Sequence, residues 1–297
     1  MFSIRFFLEY FMIAPSWMRF LEMALLCACV VHPPCAAEAP PVDDSRKPNS
    51  TEQWHTDVRH GKNLFWVQNP ANSSGSSRIV SIFGDPDSWV VNRTATTSYI
   101  RAPNNRWRFT GLTFNFRKRT LYWSDTGNKK IQGLVLTNDD VPFTIFDGIS
   151  NGVHSLALDW LTNNIYWTDS LYNWIVMAPA VPDTTLFRIV INTDLDHPMG
   201  LVVHPFRGLL FWTDWGAVAK IEKSDTTGNS RRTIVDRDLV TPMGLALDTD
   251  GSRLYWVDRD RGTIESVDIF TSQRIIHFTV EDTQFVSLAL YHVMYNY

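Results

Sequence analysis

Four copies of one short string constrain this chain more than any other feature. They read Tyr122-Trp123-Ser124-Asp125, Tyr166-Trp167-Thr168-Asp169, Phe211-Trp212-Thr213-Asp214 and Tyr255-Trp256-Val257-Asp258. The tryptophans recur at steps of 44, 45 and 44 residues. A leucine stands 11 positions before each of them (Leu112, Leu156, Leu201, Leu245), and an isoleucine 8 or 9 positions after it (Ile131, Ile175, Ile221, Ile264). Anchors held at fixed offsets over such a period mark a structural repeat, which governs every more local signal.

One period contains four short apolar runs. In residues 244–278 they read Gly-Leu-Ala-Leu-Asp, Leu-Tyr-Trp-Val-Asp, Thr-Ile-Glu-Ser-Val-Asp-Ile and Arg-Ile-Ile-His-Phe, with turn formers between them. The three- and four-residue apolar spacing of a helix is missing. Short runs bounded by Asp, Gly, Ser and Thr read as strands. Four strands in about 40–45 residues are the unit of a propeller blade. The expectation is an all-β, six-bladed β-propeller over residues 61–297 whose last blade is truncated. Leu64-Phe65-Trp66-Val67 supplies a degenerate first blade, 57 residues before Trp123. Residues 69–77 and 84–106 are expected to hold the insertion as loops. Ser287-Leu288-Ala289-Leu290 opens a further copy 43 residues after Leu245, so residues 279–297 form a partial blade and the chain is expected to be cut short.

Residues 1–39 read as a signal peptide. Arg19 precedes the apolar core Ala24–Val31, and the small residues Ala36, Ala37 and Ala39 suit cleavage. All 3 cysteines (Cys27, Cys29, Cys35) lie in that leader, leaving none for a disulfide or a thiolate metal site in the mature chain. Residues 40–60 read as a polar linker. Asn49, Asn72 and Asn92 open N-glycosylation triplets. The net charge of −4, from 27 basic and 31 acidic residues, leaves no basic footprint for nucleic acid. No later stretch is long and apolar enough to span a bilayer, so membrane attachment would come only through sequence outside this chain.

The repeat, best seen in Gly200-Leu201 through Trp212-Thr213-Asp214-Trp215-Gly216, resembles the class B repeats of the low-density lipoprotein receptor family. That resemblance implies a six-bladed propeller named after the Tyr-Trp-Thr-Asp string. It implies a non-enzymatic, extracellular or cell-surface module, endocytic or Wnt co-receptor-like, that binds protein or peptide ligands and needs no cofactor. A nidogen-like matrix interaction protein is the alternative, and a calcium-dependent propeller hydrolase a lesser one. Ser124, Phe211 and Val257 depart from the family string.

The chemistry-bearing residues fall into rings, one per blade. The motif aspartates, Asp125, Asp169, Asp214 and Asp258, are expected to bond strand and turn backbone rather than to act as acids and bases. A second ring is Asn115, Asp159, His204 and Asp248, whose histidine disfavours a calcium site. The innermost strands are expected to begin near Gly111, Ser155, Gly200, Gly244 and Ser287. The residues just before them, Thr110, His154, Met199, Met243 and Val286, would then line one mouth of the channel. In the resembled family this face binds ligands, often with Pro-Asn-Gly where this chain has Pro198-Met199-Gly200 and Pro242-Met243-Gly244. The methionines are either adaptable apolar contacts or plugs. Trp215 is either an exposed anchor or a packed blade-edge residue. Family receptors release ligands in acidic endosomes, so His154 is a candidate for pH-dependent binding.

Overall fold

The computed structural model describes residues 4–11, 52–60, 63–70, 77–83, 96–101, 103–104, 106–136, 141–248, 251–279 and 284–292. These residues form five four-stranded antiparallel sheets and one two-stranded sheet. The first sheet holds β2 (Glu52–His60), β3 (Asn63–Pro70), β4 (Arg78–Phe83) and β5 (Thr96–Arg101), and the second β6 (Phe109–Asn115), β7 (Thr120–Asp125), β8 (Lys130–Val135) and β9 (Phe143–Asp147). The third holds β10 (Val153–Asp159), β11 (Asn164–Asp169), β12 (Trp174–Pro179) and β13 (Arg188–Ile191). In the fourth are β14 (Pro198–His204), β15 (Leu209–Asp214), β16 (Lys220–Asp225) and β17 (Arg232–Val235), and in the fifth β18 (Pro242–Leu247), β19 (Arg253–Asp258), β20 (Thr263–Asp268) and β21 (Arg274–Thr279). The last strand, β22 (Gln284–His292), pairs antiparallel with β1 (Ile4–Phe11), which lies within the expected leader. Each sheet touches the next through its first strand: β2 meets β6, then β10, β14, β18 and β22 follow in turn, and β22 returns to β2. That closed cycle of sheets is a propeller.

The repeat anchors are pairing partners. Each leucine faces its tryptophan across the first and second strands: Leu112 and Trp123, Leu156 and Trp167, Leu201 and Trp212, Leu245 and Trp256. Each isoleucine pairs with the residue after the tryptophan, as Ile175 does with Thr168. Because neighbours along a strand point to opposite faces, tryptophan and leucine share one face while tyrosine, threonine and isoleucine share the other. The cores follow this alternation. Ala157, Tyr166 and Ile175 of the third sheet pack with Leu201, Leu210 and Trp212 of the fourth. Phe211 and Ile221 of the fourth pack in turn with Leu245, Leu254 and Trp256 of the fifth. The second strands are therefore buried on both faces, and β7 is buried at every residue. Burial falls away outward, to a mostly exposed or half-exposed β17 and β21.

The last two letters of the motif also join sheets. Thr168 Oγ1 donates to the Met199 carbonyl at 2.6 Å, and Thr213 Oγ1 to the Met243 carbonyl at 2.9 Å, each in the following sheet. Ser124 achieves the same join indirectly, through Thr110, whose Oγ1 donates to the Val153 carbonyl at 2.8 Å. The aspartate accepts hydrogen bonds from the connection that enters its own sheet. Asp125 accepts from the Arg108 amide, Asp169 from Ser150 Oγ, Asp214 from the Asp196 amide, and Asp258 from the Val240 and Thr241 amides. Close approach around the axis demands glycine. A Cβ on Gly200 would lie 2.2 Å from the Met243 carbonyl oxygen.

Three expectations need correction. The linker does not run to residue 60, because β2 begins at Glu52. The register explains the omission: Asp57 stands opposite Trp66, where the other sheets have leucine, so the apolar cue is missing. Residues 84–106 are not all loop, since β5 occupies 96–101 and pairs with β4. The first strands begin two or three residues before the expected points, at Phe109, Val153, Pro198, Pro242 and Gln284.

Two outcomes follow from this packing. Thr213→Val keeps the side-chain volume but strips the partner from the Met243 carbonyl and the Gly200 amide. It should lower stability in urea by about 1–3 kcal/mol, against roughly 3–5 kcal/mol for Trp212→Ala. The second concerns Asp214, whose pKa is raised from 3.8 to about 6, chiefly by burial. The folded state thus holds the proton more tightly than the unfolded chain, so this stability is complete below the unfolded pKa and fades as pH rises through the folded one. Relative to Asp214→Asn, the wild type should lose stability between about pH 4 and pH 6, measured as urea midpoints across that range.

Candidate ligand-binding face

The first strand of each four-stranded sheet slips register at the same place. The breaks fall between Trp54 and Asp57, Phe109 and Leu112, Val153 and Leu156, Pro198 and Leu201, and Pro242 and Leu245. The two residues inside each break form a bulge, a device that bends a strand and re-aims its side chains. Thr110, His154, Met199 and Met243 therefore sit within their strands, at successive bulges around one end of the axis. Thr110 is buried, and the two methionines and His154 are half-buried. Val286 lies on β22, and its side chain is outside the described residues.

Thr110 and His154 share a cleft of about 370 Å³ between the second and third sheets. Arg106, Arg108 and Asn151 also line it, from the two connections that enter those sheets, and Thr126 and Gly127 close it from the turn after β7. None of these five was legible as a site residue. Arg106 ends the stretch expected to be an insertion, and Arg108 and Asn151 precede their strands without belonging to a repeated pattern. Burial, set against the attraction of Asp169, holds the His154 pKa below its ordinary value, and Arg108 and His197 push the same way. Its Nε2 lies 3.0 Å from Ser170 Oγ.

Farther round the rim, Trp215 is half-buried and packs in the turn after β15. The His197 ring lies 5.1 Å from it and the Arg259 guanidinium 5.8 Å above it. Asp196 fixes this corner, its carboxylate reaching His197 Nδ1 at 2.8 Å and accepting the Ala217 amide at 2.7 Å.

The second ring lies at the other end of the strands. Asn115 Oδ1 accepts the Arg117 and Lys118 amides, and Asp159 Oδ1 those of Leu161 and Thr162. Asp248 accepts the Arg253 amide, and His204 precedes the short 3₁₀ turn Pro205–Arg207. These residues sit at turns in four separate sheets. Among the described residues no group of three metal-ligating side chains forms. Asn49, Asn72 and Asn92 fall outside the described residues.

The depressed pKa means that His154 resists protonation more than an exposed histidine does. Its imidazole carbon protons, followed by NMR through an acid titration, should report a midpoint below 6.5. Folded-state stability owed to neutral His154 should be present above the unfolded pKa and be lost as pH falls through that midpoint.

The low-density lipoprotein receptor repeat class B family model matches residues 208–249. The chain is 33% identical over 150 residues to vitellogenin receptor Yl of Drosophila melanogaster, a match covering 50% of this chain and 7% of that protein. It is 34% identical over 107 residues to low-density lipoprotein receptor-related protein 5 of Mus musculus, covering 35% of this chain and 6% of that protein. The chain thus spans under a tenth of the length of either curated relative. In fold it is similar to a chain of a nidogen/laminin complex structure, with a TM-score of 0.56 and 23% identity over 77% of this chain and 97% of that one. A virginiamycin B lyase of Staphylococcus aureus gives the same TM-score at 13% identity, over 77% of this chain and 71% of that one, a likeness of fold alone. With the motif, its register and the closed cycle of sheets, these matches show a β-propeller whose repeats are similar to the class B repeats of the low-density lipoprotein receptor family.

Proposed function

We propose that this chain is the extracellular, ligand-binding propeller of a receptor-related protein, six-bladed and without enzymatic activity, and that it binds protein or peptide ligands on the bulged face. The observation that carries this reading is the bulged rim itself. Half-buried methionines on two adjacent sheets, a tryptophan corner and an open cleft share one end of the axis, while the carboxylates that an enzyme would need are committed. Asp125, for example, accepts from three backbone amides and from Asn128 Nδ2. A buried carboxylate so bonded serves the fold. A vitellogenin receptor and a receptor-related protein among the relatives support the ligand-binding role and passage through the secretory pathway, with Asn49, Asn72 and Asn92 as glycosylation sites. The nidogen likeness supports the alternative of a matrix interaction protein, since that structure is a complex with laminin. Both readings use the same face.

Selection of a random peptide library on the purified protein tests the reading. Selected peptides should bind wild type, and Met199→Lys with Met243→Lys should weaken them at least about tenfold. Phe206→Ser, at the opposite end of the strands, should leave binding unchanged. Equal binding to the methionine variant, or loss only with Phe206→Ser, would place the ligand face elsewhere.

A further inference from the structure

We propose that the cleft between the second and third sheets is a carboxylate-binding subsite, in which Arg106 and Arg108 seat an acidic side chain of a peptide ligand. This rests on the ligand-binding reading above and adds the chemistry of one pocket to it.

The local charge is the first support. No aspartate or glutamate lines the cleft, whereas both arginines do, and both are exposed. Among the described residues neither guanidinium forms an ion pair or a side-chain hydrogen bond. The nearby carboxylates form no ion pair with them and are bonded elsewhere. Asp125 is fully buried and holds the Arg108, Gly127 and Asn128 amides, and Asp169 holds Ser150 Oγ and the Leu171 and Tyr172 amides. An arginine pair without a partner, in a concave site, matches a carboxylate by its forked donors.

The second support is that the backbone beneath these side chains is fixed in advance. The Arg108 amide donates to Asp125 at 2.9 Å, and its carbonyl accepts the Thr126 amide at 2.8 Å and Thr126 Oγ1 at 3.1 Å. The Arg106 amide donates to Asn104 Oδ1 at 3.0 Å. Gly127 lets the Arg106 backbone lie against the turn, because a Cβ there would sit 1.7 Å from the Arg106 carbonyl oxygen. A subsite whose backbone is already ordered loses less entropy on binding. The cleft's volume of about 370 Å³ lies at the lower end of ligand-site sizes, roughly 300–1,000 Å³. A cleft of this size suits one or two acidic side chains. An extended sulfated polysaccharide needs a long basic stripe, and the chain's net charge of −4 repels a polyanion at range.

The test uses peptides selected on the wild-type protein, resynthesised and titrated by calorimetry. Asp or Glu should be enriched in them. Their affinity should fall at least about tenfold on Arg106→Gln with Arg108→Gln, and by a similar factor when the peptide's acid is changed to its amide. Arg106→Lys with Arg108→Lys should retain an intermediate affinity, and Arg108→Glu should recover affinity for a peptide whose acid is replaced by lysine. Matching thermal melts check that the variants fold. Peptides without acids, or acidic peptides indifferent to the arginine variants, overturn the subsite while leaving the ligand-binding face intact. A heparin oligosaccharide that binds wild type through these arginines, with peptides unaffected, overturns it in favour of a sulfated glycan. Failure to select any peptide removes the ligand-binding reading and the subsite together.

Discussion

The structure depends on one contact made repeatedly: the tryptophan face of one sheet against the tyrosine and isoleucine face of the sheet before it. Trp212 with Leu201 against Tyr166 with Ile175 is one instance, and Trp256 with Leu245 against Phe211 with Ile221 is the next. A strand with period-two alternation can have large apolar groups on both sides only if it is sandwiched. One repeat alone would expose a face of aromatic rings, so the repeats stabilise each other or not at all. The same requirement accounts for Phe at position 211, which keeps the ring and gives up the hydroxyl.

Around that contact the polar residues act as joints. The threonine hydroxyl reaches the next sheet's bulge, and the aspartate clips the entering connection to its own strand. A further joint appears at the outer edge of two sheets. Arg231 lies 5.4 Å from the Trp212 ring, pairs with Glu222, and donates to the Thr193 and Asp194 carbonyls. Arg274 repeats this with Trp256, Glu265, and the Arg237 and Asp238 carbonyls. In the third sheet the corresponding strand pair carries Val176, and Phe146 packs 5.3 Å from Trp167 with Phe187 beyond it. An apolar cluster there takes the place of the buried ion pair, and either solution covers the tryptophan.

How far the sequence discloses this depends on periodicity. The four motif strands, their leucine partners and the backbone role of the aspartates are legible because each repeats at a fixed offset. The first strand of the first sheet is not, because Asp57 breaks the offset opposite Trp66. The first strands begin earlier than apolar patterning predicts, because a bulge adds residues that the pattern cannot count. The second ring belongs to the far turns, because a residue three positions past the leucine has already reached the end of its strand. At the candidate site Thr110, His154 and the methionines are legible as a ring. Arg106, Arg108 and Asn151 are not, because they come from connections whose course is set by three-dimensional closure and not by the repeat.

These joints tie down the backbone of the bulged face while its side chains vary from sheet to sheet, which is the arrangement a binding surface needs. Hydrogen–deuterium exchange of the protein with and without a selected peptide tests that most directly. The account predicts slowed exchange in residues 106–110, 150–155, 196–200 and 240–244, at the bulges and the connections that enter them. Protection confined to the opposite turns, residues 116–119, 160–163 and 205–208, would contradict it.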